Sequence, residues 1–249
     1  MTRARLPHYV AFAEEVCAVT ERMASQANAW LKTTGYKQSF RDRVVTALCL
    51  KIDSSFRALI DDVRMGRAEA MHHLKTMAES FIYFHYVAAD TSPERANHLF
   101  AKVLHEKVKF IRDNMQPGAE ARIAELEGRR DRLLAGAPPL ASVEQLAKSY
   151  GPSLGSWYSA VYRLACEPAH LGDLHEFMPG ADDVIEVGPA ITADYRASIG
   201  IDRACELIIN MIDAVLQTTT ATLSADVDTL RGKLAALRDP RTKIEETTL

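Results

Sequence analysis

The stretch VTALCLKIDSSFRALIDDVRMG, residues 45–66, decides the fold class. Val45, Leu48, Ile52, Phe56, Leu59 and Val63 recur at steps of three and four, the spacing of one face of an α-helix. Gly66 follows the last of them, where a helix of this kind stops. Upstream, Phe12, Val16, Val19, Met23, Ala27 and Trp30 repeat the pattern, with Pro7 suited to the first turn and Gly35 to the end. Downstream, Ala70, Leu74, Met77, Phe81 and Phe84 repeat it again, closed by ADTSPE, where Thr91 or Ser92 can cap the next helix. Three consecutive segments with one period make the chain helical from its start.

The rest keeps that character. A fourth helix carries Phe100, Val103, Lys107, Phe110 and Ile111 and stops at NMQPG. The next segment, AEARIAELEGRRDRLLAG, has only Ile123, Leu126, Leu133 and Leu134 as apolar anchors, so it reads as a peripheral, solvated helix. Its GRRDR run, with Arg129, Arg130 and Arg132, reads as part of that solvated face rather than as a nucleic-acid patch. APPL breaks the chain, SVEQLAKSY makes a short helix, and a further helix holds Trp157, Val161 and Leu164. Around MPGADDVIEVGP the sequence turns loop-like, with one β-like fragment, VIEV. A long helix resumes near Thr192 with Ala204, Ile208, Met211 and Val215. Leu223, Val227, Leu230, Leu234 and Leu237 mark the last one.

These segments predict an all-α antiparallel bundle of six to eight helices, with a short extended or hairpin insertion after residue 178. No internal repeat and no clear linker divides it. The expected organisation is one domain over 1–249, with a core from about 8 to 222, a C-terminal helix over 224–238 and a frayed tail over 239–249.

Composition excludes several classes. Hydrophobic residues make up 47% and charged residues 25% of the 249, the balance of a globular protein. A net charge of −3 gives no global attraction to nucleic acid or anionic membrane. No run approaches a membrane span, and Glu14 and Glu15 interrupt the first apolar pattern, so no signal peptide is expected. Cys17, Cys49, Cys166 and Cys205 are too far apart for a Cys-x-x-Cys pair and read as free thiols of a reducing, cytoplasmic compartment. No phosphate-cradling Gly loop and no Ser/His/Asp pattern is present.

The chemistry-bearing stretch is YSAVYRLACEPAHLGDLHEFM, residues 158–178. Arg163 and His170 stand seven positions apart, within about 20° of two full helical turns. Pro168 removes a hydrogen bond and crowds the carbonyl of Leu164, so the helix should kink or end near Glu167 and can return His170 toward Arg163. An imidazole exchanges a proton near neutral pH, and a guanidinium can hold two phosphoryl oxygens. The simpler alternative is a local Arg163–Glu167 pair and a His170 that caps a helix C-terminus. Earlier, in HHLKTMAESFIYFHY, the polar stripe His72, Thr76, Glu79, Tyr83 lies beside the Leu74/Phe81 face. Glu79 either pairs with Lys75 four positions back or reaches across the bundle to orient Arg163.

The sequence YRLACEPAH, with the earlier Lys75…Glu79 pair, resembles the HEPN superfamily, and within it an uncharacterised bacterial all-α family with a Tyr-Arg…His signature. The resemblance covers about residues 40–220. It implies a metal-independent endoribonuclease that works as a homodimer, often in stress, toxin or phage-defence systems. Arg163 and His170 would be catalytic, and Tyr162, Glu167, Lys75 and Glu79 would support them. His170 would activate the RNA 2′-hydroxyl and Arg163 would stabilise the pentacoordinate transition state. DNA, which lacks that hydroxyl, would not be cut. No cofactor and no membrane is implied.

Two other classes stay open. HEPN nucleases usually carry a polar residue directly after the Arg, and here it is Leu164. That favours a non-catalytic, dimeric binding module. His170, Asp173 and His175, with Glu176 beside them and Glu79 or His85 from another helix, could instead make a metal site in a bundle.

Overall fold

A computed structural model of the chain describes residues 5–67, 69–114, 118–162, 165, 191–217 and 223–240. These residues are all-α: nine α-helices and one π-helical turn, with no strand among them. The helices are α1 (Leu6–Thr34), α2 (Phe40–Arg64), α3 (Ala70–Ala88), α4 (Glu94–Asp113), α5 (Glu120–Leu134), α6 (Val143–Ser149), α7 (Pro152–Trp157), α8 (Ile191–Leu216) and α9 (Ser224–Arg238). The π turn, Tyr158–Tyr162, continues directly from α7. The extended insertion expected after residue 178 lies outside the described residues, as does most of the tail.

The helix ends follow their local chemistry. Gly35 closes α1 at φ 63°, in the left-handed region that glycine enters without a Cβ clash. Ser142 caps α6 by accepting from Gln145 N–H, while the Gln145 side chain returns to Ser142 N–H. At the start of α4, Ser92 Oγ accepts from Glu94 N–H at 3.3 Å and donates to Asp90 at 2.8 Å. Ser92 N–H and hydroxyl together hold the Asp90 carboxyl below its ordinary range.

The chain divides into two compact units. One draws on Met1–Lys37, Cys49–Phe81 and Ser156–Leu249, the other on Gln38–Leu48 and Ile82–Gly155.

In the first unit α1, α8 and α9 pack around Tyr9, Phe12, Val16, Val19, Ile201, Ala204, Ile208, Met211, Val227, Leu230 and Leu234, all buried. Tyr9 donates to the Leu237 carbonyl, Arg22 pairs with Asp226, and Lys233 pairs with Glu15, so α1 and α9 run antiparallel. At the end of α9, Arg238 donates from Nε to Asp202 Oδ1 at 2.8 Å and from Nη2 to Oδ2 at 2.9 Å. Burial, then the charge of Asp202, pushes the Tyr9 phenol up to about 12. On α2, Asp53 accepts from Thr20 and Arg57, and Arg57 reaches Glu21, which ties the second helix to the first. Gly200 of α8 lies so close to α3 that a Cβ there would stand 3.2 Å from Met71 Sδ.

In the second unit α4 packs on α5 through Leu104, Val108 and Leu126, flanked by Phe100, Ile111, Ile123 and Leu133. Of the apolar residues expected along α4, Phe100 and Ile111 pack against this cluster and Val103 and Phe110 do not. The buried residues of α4 are Ala96, Leu99, Ala101, Leu104 and Val108, whereas Val103 and Phe110 are exposed. Two apolar stripes compete on this helix, and α5 covers the one that meets Leu126. Leu126 is the one buried residue of α5, which is otherwise peripheral as its charge predicts. The GRRDR arginines are engaged locally: Arg130 pairs with Asp131, and Arg129 lies 5.1 Å from the Phe100 ring centroid. Arg41 holds the carbonyls of Ala88 and Asp90, and Arg95 those of Tyr86 and the Tyr150 hydroxyl.

Candidate functional site

The described part of the candidate site is built where α3 meets the end of α7 and the π turn. Phe81 of α3 packs on Trp157, ring centroids 5.4 Å apart. Six positions earlier on α3, Lys75 Nζ lies 6.0 Å from the centroid of the Tyr162 ring, at the outer limit of a cation–π contact. As α3 runs from 75 to 81 its partners run from 162 back to 157, so the two segments are antiparallel.

Tyr162 ends the π turn and stacks on Tyr158, centroids 4.6 Å apart and planes 18° from parallel. Tyr158 and Val161 are buried, as is Ala165, so the core side of this segment is fixed. Tyr162 and Lys75 are half-buried, at the edge of that core. Ser159 and Ala160 face outward.

The local alternative for Lys75 is not the one adopted. Lys75 and Glu79 sit one turn apart, in the arrangement that commonly pairs. Yet the ammonium stands over the Tyr162 ring, and among the described residues no carboxylate lies within ion-pair distance of it. Glu79 is half-buried and is not without a partner. Along the rest of the polar stripe, His72 is exposed, Thr76 donates to the His72 carbonyl at 3.0 Å, and Tyr83 is buried.

Arg163, Glu167, His170, Asp173 and His175 lie outside the described residues. The structure therefore brings together Lys75 and Tyr162 of the predicted set, with Glu79 one turn from Lys75. Among the described residues no group of three His, Cys, Asp or Glu side chains is placed to hold a metal. His85, the other α3 residue of the metal reading, packs edge-on to Phe84, and burial lowers its pKa below the ordinary histidine value.

Tyr158 was missed in the sequence. The available signal was the four-residue spacing of the two tyrosines in YSAVY, which marks helical neighbours. The π turn has no comparable signature, because a single inserted residue leaves composition and hydrophobic pattern nearly unchanged.

A cleft of about 760 Å³ lies elsewhere in the first unit, between α1 and α9. Its charged groups pair across it, Arg22 with Asp226 and Lys233 with Glu15. Its lining includes none of the candidate catalytic, supporting or metal-ligating residues, so the chemistry on α3 and the π turn is the better candidate. Among the described residues no helix is long and apolar enough to cross a membrane. Comparison with family models, with curated proteins and with solved structures gives no match for this chain.

Proposed function

We propose that this is a HEPN-like helical protein that cleaves RNA without a metal, using Arg163 and His170. His170 takes the proton of a ribose 2′-hydroxyl. The 2′-oxygen attacks the adjacent phosphorus, and the 5′-oxygen of the next nucleotide leaves and takes a proton from water. Arg163 offsets the charge that builds on the phosphoryl oxygens. The products are a 2′,3′-cyclic phosphate and a 5′-hydroxyl. The one observation that supports this reading most is the contact between Lys75 and Tyr162. It joins the two halves of the sequence signature, which are far apart in the chain: Tyr162 immediately precedes Arg163, and Lys75 begins the Lys75…Glu79 pair.

The test is incubation of the purified chain with mixed single-stranded RNAs in the presence of a chelator, beside an Arg163→Ala/His170→Ala double variant. Cleavage to cyclic-phosphate ends by the wild type, lost in the variant, is the expected outcome. No cleavage, or equal cleavage by both proteins, defeats the proposal. Cleavage that a chelator abolishes defeats it in favour of a metal-dependent bundle enzyme.

The second reading is a non-catalytic dimeric binding module. Leu164 after Arg163 favours it, and so do the exposed Trp30 and Tyr36, whose ring centroids lie 5.2 Å apart. Both readings expect a homodimer, which mass measurement in solution checks.

A further inference from the structure

Trp157 and Tyr162 both reach α3, although they are five positions apart. On an α-helix five positions turn through about 500°, which leaves two such side chains roughly 140° apart. A π turn hydrogen-bonds at a spacing of five, so the same two side chains come to one side. The π turn Tyr158–Tyr162 is thus what allows the second contact. It also sets Tyr162 on Tyr158, whose burial gives the outer ring a fixed backing.

The ring so placed carries the Lys75 ammonium. Among the described residues no carboxylate lies within ion-pair distance of that ammonium, so it is a half-buried cation open to an anionic ligand. We propose that Lys75 binds a backbone phosphate of a single-stranded RNA, and that Tyr162, aimed by the π turn, is the positioning residue that holds Lys75 there. This rests on the reading of RNA as the ligand of this site. Lys75 contacts the backbone and no base, so it contributes affinity without sequence preference.

The experiment uses the full chain carrying His170→Ala, so that the RNA stays intact, and a fluorescently labelled single-stranded RNA followed by anisotropy over a salt series. Adding Lys75→Met should weaken binding about tenfold, the loss of one charge-assisted phosphate contact. It should also reduce the slope of log affinity against log salt by about 0.7, the value for one phosphate on a single strand. Tyr162→Leu should weaken binding in the same direction, and Tyr162→Phe, which keeps the ring, should restore most of the loss. The salt slope is the decisive readout, because a purely structural role for Lys75 leaves it unchanged. If the His170→Ala protein binds RNA and Lys75→Met alters neither affinity nor slope, the proposal is wrong, whatever the wild type cleaves. If the wild type binds RNA and shows the Lys75 dependence but does not cut, the nuclease reading fails and the role of Lys75 stands. If no RNA is bound at all, both fall.

Discussion

Replacing Arg238 by Ala tests how the last helix is held. Arg238 gives two hydrogen bonds to Asp202, at 2.8 and 2.9 Å, and one to Glu206 at 2.9 Å. The two acceptors differ in what they retain. Glu206 still receives Arg203 at 2.8 Å. Asp202, with a side chain 5% exposed, is left with Arg203 at 3.9 Å. The cost is therefore dominated by a stranded carboxylate. Removing one member of a fully buried pair costs about 3–5 kcal/mol. Arg238 is itself 34% exposed, so its loss admits water and reduces the penalty to about 2–3 kcal/mol. For a chain of this size that corresponds to a fall in Tm of roughly 5–10 °C. Calorimetry and urea melts measure it, with the midpoint moving and the slope m unchanged. The double variant Asp202→Leu/Arg238→Met removes both charges and should return to within about 1 kcal/mol of wild type. A shift of Arg238→Ala below about 2 °C, or a double variant as unstable as the sum of the single ones, would show that Asp202 does not depend on Arg238.

Two further predictions concern stability. Leu126→Ala removes the only buried side chain of α5 from the Leu104/Val108 cluster and should cost about 2–4 kcal/mol. Hydrogen exchange should then rise over α5 and the facing turns of α4, while α1, α8 and α9 keep their protection. Acidification should lower stability in two steps. Burial depresses His85 from its ordinary 6.5, so below about that pH the unfolded chain binds a proton that the folded one resists, and stability falls. Burial pushes Glu206 up, but hydrogen bonds from Arg238 and Arg203 outweigh it and hold the carboxyl below its ordinary 4.5. Its contribution is present above that value and is lost as pH falls through the folded value. His85→Gln should remove the first step, and Arg238→Ala should flatten the second in a Tm-against-pH series.

The helices were legible because their signals are local. Phe12, Val16 and Val19, then Ile52, Phe56, Leu59 and Val63, are buried at the spacing that predicts them, and Gly35 stands at the stop it predicts. Where two apolar faces compete, local periodicity does not choose. On α4 the stripe holding Val103 and Phe110 is as regular as the buried one, and only the position of Leu126 selects between them. Past Thr20 the α1 stripe continues through Met23, Ala27 and Trp30 without burying a side chain, since periodicity reports a face and not what covers it. The site is legible in the same partial way. The sequence marks Lys75, Glu79 and Tyr162 as polar residues near core positions. That Lys75 turns to Tyr162 rather than to Glu79 depends on the one-residue insertion of a π turn, which hydrophobic pattern does not record.

The proposed metal-independent cleavage of RNA by Arg163 and His170 is tested most directly by the chemistry of the RNA ends. Single-stranded RNA incubated with the purified chain in excess chelator should yield 2′,3′-cyclic phosphate and 5′-hydroxyl termini. Arg163→Ala and His170→Ala should each lower the rate by about 10²–10³-fold, and substrate carrying 2′-deoxyribose at the cleaved position should resist. Intact RNA after prolonged incubation, or cleavage that survives both substitutions, overturns the proposed ribonuclease.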